Sequence, residues 1–194
     1  MIGPDDSIIL VDIEATCWKH RPPEGQQSEI IEIGLCALDL ASGELRQPRS
    51  LVVRPQRSKV SAFCTRLTSI TQTMVDDGMW FPEACAIIAA EYAHSGHVWA
   101  SWSDYDLKML TRQCEWMNVP YPFGPRYVDL KALFARAQGL NTQIGLVRAI
   151  KASGLTWSGR HHRGVDDAWN LGLLLQHLLQ THGATALWQH LEPA

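Results

Sequence analysis

The chain has 194 residues, the length of one generous domain, and with 46% hydrophobic residues it holds ample material for a core. Its formal net charge of −3 argues against a coat protein held on nucleic acid by a global positive field, but not against an enzyme that grips only a chain end. Five cysteines, an odd number with no Cys-x-x-Cys pair, argue against a disulfide framework or zinc knuckle and for a reducing compartment.

The opening Met1-Ile2-Gly3-Pro4-Asp5-Asp6 is acidic and lacks the basic region of a signal peptide. No apolar run reaches membrane length, so the expectation is a cytoplasmic protein with no membrane partner. Residues 7–14 read as a buried strand, residues 29–39 as a second and residues 45–53 as a third, with a turn at Ala41-Ser42-Gly43-Glu44, which together predict a meander. A polar, Ser- and Thr-rich stretch follows from Ser58 to Asp77. Pro82 opens an apolar helix through Ala93, and His97–Trp102 reads as a strand feeding a helix over 103–117. After a Pro/Gly loop at 120–125, a segment from Val128 is predicted helical through Ala137. A short helix near 142–152 and a long one over about 165–181 complete the chain. No repeat, low-complexity tract or long linker divides it, which predicts a single domain over 1–194. Strands first, then alternating helix and strand, argue for an α/β fold with a mixed sheet flanked by helices.

Three places along this order carry acids. Asp12 and Glu14 stand two apart in the first strand, so both side chains point to one face at its end. In the helix after Trp102, the apolar stripe runs through Leu107, Leu110, Cys114 and Met117. Asp106 lies on its margin, whereas Asp104 groups with Lys108 on the polar side, as a cap or ion-pair partner. In the last helix Asp167 lines up with Leu171, Leu174 and Leu178, while Asp166 falls on the outer side. A carboxylate on an apolar stripe needs a partner. Four acids gathered without compensating bases need a cation, and hard oxygen ligands favour Mg²⁺ or Mn²⁺. His161 and His162 precede the last helix; a histidine five residues before an inward acid hangs over the same site and titrates near neutrality. Zinc bound by the His-His pair is an alternative, but the surrounding ligands are oxygens. Asp129 reads as structural.

Several stretches carry a family resemblance. They are Asp12-Ile13-Glu14-Ala15-Thr16-Cys17, Phe63-Cys64-Thr65-Arg66-Leu67-Thr68-Ser69-Ile70-Thr71, Phe81-Pro82-Glu83-Ala84, Tyr105-Asp106-Leu107-Lys108, and His162 to Asp167 with Ala168 and Asn170. Over roughly residues 7–180 the chain resembles the DEDDh 3′→5′ exonucleases, in the branch of the histone-mRNA 3′ exonuclease and its bacterial sporulation-inhibitor-like relatives. Ser69 stands where that segment has Gly, so a different loop is expected there; Trp18 follows Cys17 where the branch is often polar. The resemblance implies a ribonuclease H-like fold with a central five-stranded mixed sheet. It implies two Mg²⁺ (or Mn²⁺) ions, the first held by Asp12, Glu14 and Asp167 and the second held or oriented by Asp12 and Asp106. His162 becomes the general base, the backbone at Glu14 and Ala15 holds the terminal sugar, and Phe63 and Leu67 press on its base. The implied partners are single-stranded 3′ ends, RNA before DNA, and the implied product is a nucleoside 5′-monophosphate. Two alternatives remain: a DNA-directed trimming or proofreading exonuclease, and a silent regulatory binding module. The latter is expected to have lost an acid or the histidine, and none is missing.

Overall fold

The β-rich opening and the helical remainder share one sheet. In the computed structural model, which describes residues 7–92 and 98–185, strand β1 (Ser7–Ala15) runs antiparallel to β2 (Ile30–Asp39), and β2 antiparallel to β3 (Leu45–Val52). On its other side β1 pairs in parallel with β4 (Val98–Ser101), and β4 in parallel with β5 (Tyr127–Asp129), giving the order β3-β2-β1-β4-β5. This is the mixed five-stranded sheet expected. β1 and β2 are apolar on both sides because both faces are covered, and from Ile30 through Leu38 no residue of β2 escapes burial.

The helices are α1 (Ala62–Thr68), α2 (Gln72–Asp76), α3 (Phe81–Glu91), α4 (Asp104–Met117), α5 (Leu130–Ala137), α6 (Leu146–Ala152) and α7 (Gly164–His182). Odd positions of β1 (Ile9, Val11, Ile13) join a core with residues of α3 and α4, while Ile8 and Leu10 join a core with α5, α6 and α7. No described helix is long and apolar enough to cross a membrane.

The stretch from Ser58 to Asp77, expected only as polar chain, holds α1 and α2. Ser61 and Thr71 cap them by accepting from the backbone N–H groups of Cys64 and Met74, so residues that read as loop composition are in fact start signals. Residues 127–129 form a strand before the predicted helix begins, because Asp129 serves as the cap of α5 and holds its own backbone extended. The helix expected near 142–152 begins at Leu146. The predicted ends at Ala93 and His97 lie outside the described residues, as does Trp188.

Two backbone positions bear on the site. Ser69 ends α1 in the left-handed conformation (φ 62°), with its N–H on the Thr65 carbonyl, a place glycine fills without strain. Ser69→Gly is therefore expected to stabilise the fold by about 0.5–1 kcal/mol, read as a rise in the urea midpoint at unchanged slope. Gly34 faces Gly164 at the start of α7 so closely that a Cβ on Gly34 would lie 1.8 Å from the Gly164 carbonyl carbon. That contact is backbone on backbone and cannot yield by rotamer change. Gly34→Ala should destabilise by about 1–3 kcal/mol and lift the first turn of α7 off β2; chemical denaturation and loss of metal affinity would report the two effects.

Candidate active site

Asp12 and Glu14 occupy even positions of β1, opposite Gly34 and Glu32 of β2. Directly opposed residues of an antiparallel pair share a face, so Asp12, Glu14, Glu32 and the gap at Gly34 form one patch. α7 enters through that gap. Its first turn carries Asp167, which faces the patch because Leu171, Leu174 and Leu178 on the same stripe are buried in the core. The result is one oxygen each from Asp12, Glu14 and Asp167 lying within 4.8 Å of one another.

Asp106 approaches from the opposite side of the sheet. It sits in the first turn of α4, only 4% exposed, and accepts a hydrogen bond from the Ile13 backbone N–H at 2.9 Å, between the two β1 acids. It stands next to the trio rather than within it. Asp104, by contrast, is exposed and pairs with Lys108 one turn on. Asp166 accepts from the Arg160 backbone N–H, and Asp129 caps α5 through the Ala132 N–H. The helical phase that separates Asp106 from Asp104 and Asp167 from Asp166 thus matches where the four side chains lie.

The electrostatics of this cluster follow from burial. Asp12 is held well above the usual carboxylate range, first by desolvation and then by the charges of Asp106, Asp167, Glu14 and Glu32. Burial pushes Asp106 to about 7 against the Ile13 hydrogen bond, and Asp167 to about 7 against one from the His162 backbone. Asp167 Oδ1 is buried without a hydrogen-bond partner among the described residues. A buried acceptor without a partner, among carboxylates that burial and mutual repulsion hold above their usual range, could hold a cation, and an all-oxygen donor set would suit a hard divalent ion.

His162 lies where the loop meets α7. Its backbone is left-handed (φ 64°), its N–H donates to Asp167 Oδ2 at 3.2 Å, and its Nδ1 stands 3.6 Å from Glu14 Oε1. The Glu14 contact raises its pKa, against partial burial. Its neighbour His161 packs ring to ring on it, centroids 3.9 Å apart, with Nε2 3.9 Å from Asp167 Oδ2, and makes a T-shaped contact with Trp157, centroids 5.0 Å apart.

Phe63 and Leu67 are half-buried and one turn apart on α1. That helix is fastened to the end of β1: Ser61 Oγ donates to the Cys17 carbonyl at 2.6 Å, and Cys64 Sγ to the Ala15 carbonyl at 3.5 Å. The Phe63–Leu67 face is thereby fixed with respect to Ala15.

Sequence reasoning passed over Glu32. It is fully buried and accepts from Arg163 Nε (3.2 Å), Arg163 Nη2 (3.1 Å), the Gly164 N–H (2.9 Å) and Ser50 Oγ. It holds the residue after His162 and the first residue of α7 with one carboxylate. The available signal was a lone charge inside the apolar run Ile30-Ile31-Glu32-Ile33, which no solvated strand face explains.

Residues 9–175 match the family model described as Exonuclease. The 3′-5′ exonuclease Snipper of Drosophila melanogaster is 27% identical over 98% of this chain and 75% of its own length. ERI1 exoribonuclease 2 of Danio rerio is 31% identical over 89% of this chain, which spans only 35% of that protein. Among solved structures, the nuclease domain of 3′hExo, a DEDDh family member bound to rAMP, superposes with a TM-score of 0.83 at 27% identity, covering 93% of this chain and 95% of that one. With its acids and histidine all present and the match running from β1 into α7, the chain belongs to the exonuclease family, among the DEDDh 3′→5′ exonucleases.

Proposed function

We propose that the protein removes nucleoside 5′-monophosphates one at a time from single-stranded 3′ ends, RNA in preference to DNA. The observation that carries this is the convergence of Asp12, Glu14 and Asp167, with a buried orphan oxygen on Asp167 and His162 at the margin. Asp12, Glu14 and Asp167 would hold one Mg²⁺ or Mn²⁺, and Asp12 and Asp106 would hold or orient a second, partly through water. Two such ions, when bound, neutralise the phosphate, activate water at neutral pH and stabilise the leaving 3′-oxygen.

The chain's own residues do the rest. His162 accepts the proton of the attacking water at its ring, while its backbone N–H fixes the Asp167 carboxylate. The backbone at Glu14 and Ala15 holds the terminal sugar, and Phe63 and Leu67 on α1 press on the terminal base. The preference for RNA is supported by the exoribonuclease names among the relatives.

A ladder assay tests this directly: 5′-labelled RNA and DNA of one sequence, incubated with Mg²⁺, Mn²⁺ or EDTA. Metal-dependent shortening from the 3′ end, faster on RNA, is the expected result. Faster shortening of DNA would convert the reading to a DNA-trimming enzyme, and no shortening of either would reject it. His162→Ala should lower turnover by about 10²-fold or more with metal affinity largely kept. Retention of full turnover in that variant, with metal binding measured by calorimetry, would remove His162 from the proton-accepting role.

A further inference from the structure

His161 has no part in the reaction proposed above, yet it stands against the site. One ligand atom each from His161, His162 and Asp167 lies within 4.8 Å of the others, a second constellation that shares Asp167 with the carboxylate trio. The two constellations differ in chemistry. The trio is all oxygen and suits a hard ion, whereas two imidazoles and one carboxylate suit a borderline transition-metal ion in tetrahedral geometry. We propose that His161, His162 and Asp167 form a binding site for such an ion, Zn²⁺ foremost, and that its occupation inhibits the enzyme by taking His162 and Asp167 out of the reaction. The inhibitory half rests on the reading of His162 as the proton acceptor; the binding half does not.

Three observations support the site. Asp167 is buried, 4% exposed, and its carboxylate is under-used: among the described residues Oδ1 has no partner, and Oδ2, the oxygen facing His161, accepts only the His162 N–H, which leaves it a lone pair for an ion. The Nδ1 of His162 faces the Glu14 carboxylate at 3.6 Å. A ring nitrogen turned to a carboxylate, with the other nitrogen left for a metal, is the usual outer support of a metal-bound histidine. The third concerns fit. Tetrahedral Zn²⁺ at ordinary bond lengths brings its donors to about 3.3 Å from each other, and His161 Nε2 is already 3.9 Å from Asp167 Oδ2. The His161 side chain is 45% exposed on a loop, so its ring can make the remaining adjustment without disturbing the core. Three protein ligands leave a fourth position for water, the arrangement of an ion that is held but not enclosed.

The test needs no activity. Zn²⁺ affinity of the full chain is measured by competition with a chromophoric chelator in excess Mg²⁺, for the wild type, His161→Gln and His161→Cys. The expected result is at least a tenfold loss of Zn²⁺ affinity in His161→Gln and recovery in His161→Cys, since a thiolate replaces the lost imidazole as a ligand. Bound Co²⁺ should show tetrahedral visible absorption in the wild type that His161→Gln lacks. Equal Zn²⁺ affinity in the wild type and His161→Gln would overturn the site. Inhibition is then read against Mg²⁺-supported hydrolysis: Zn²⁺ should inhibit the wild type at a tenfold or more lower concentration than His161→Gln, whose activity without Zn²⁺ stays unchanged. Equal inhibition of both proteins would overturn the inhibitory half. Absence of hydrolysis in every protein would strike the proposed function while the binding result still stands.

Discussion

Asp12→Asn is expected to abolish hydrolysis and, at the same time, to raise the melting temperature of the metal-free protein at neutral pH. The activity loss follows from geometry: Asp12 contributes to the trio within 4.8 Å and neighbours Asp106, so it is the one carboxylate shared by both proposed ions. Losing charge stabilisation of several kcal/mol corresponds to about 10³-fold or more in rate. The stability gain follows from the sign of the pKa shift. Burial and four neighbouring acids raise the Asp12 carboxyl in the folded chain, whereas in the unfolded chain it ionises at about 3.9. Between those values the folded state keeps a proton that the unfolded state releases, so folding stability falls as pH rises. Asp106 and Asp167, both near 7, add to the slope over the window from about 4 to 7. The metal-free wild type should therefore melt at lower temperature at pH 8 than at pH 5, and Mg²⁺ should restore more at pH 8. Asn at position 12 keeps the volume, removes a carboxyl that must take up a proton on folding, flattens that slope and weakens the Mg²⁺ response. An unchanged pH slope in Asp12→Asn would mean that Asp12 does not feel its neighbours as the geometry requires.

What could be read from the sequence divides along physical lines. Periodicity places single side chains well. The two-residue step of β1 aims Asp12 and Glu14 together, and the helical step separates Asp106 from Asp104 and Asp167 from Asp166, because strand and helix geometry are local. Capping residues are harder to read: Ser61, Thr71 and Asp129 start α1, α2 and α5, but in composition they resemble loop. The five-stranded sheet was expected from the family likeness and not from the pattern, since the three residues of β5 are too few to show alternation. Contacts between distant segments were not legible at all. Nothing in Gly34 or Gly164 alone announces that one exists for the other, and His161 looks like any loop histidine until its ring is seen against His162 and Asp167.

Glu32 differs, since its charge inside an apolar strand is visible in the sequence although its partners are not, and replacing it should produce the largest loss of stability of these changes. The Glu32 carboxylate is buried with no exposure and receives two bonds from Arg163, one from the Gly164 N–H and one from Ser50. Glu32→Ala leaves the buried Gly164 N–H without its acceptor and removes the partner of a guanidinium whose side chain is only 24% exposed. Breaking one side of such a pair costs about 3–5 kcal/mol, and partial access of Arg163 to water favours the lower end. Glu32→Gln should recover little, because its amide NH₂ would face the Arg163 donors. The functional effect reaches the site through the chain, since Arg163 and Gly164 directly follow His162 and precede Asp167. Turnover should fall in proportion to the displacement of His162, while Asp12 and Glu14, borne on β1, stay in place. A double-mutant cycle with Arg163→Ala measures the pair itself: coupling of about 1 kcal/mol or more in unfolding free energy is expected, and additivity within about 0.3 kcal/mol would show that Glu32 and Arg163 do not act as one anchor. The pair also explains why a fully buried acid is kept next to a site already crowded with negative charge. Arg163 neutralises Glu32 beside the trio, and together with the Gly164 N–H it ties the chain that follows His162 to β2.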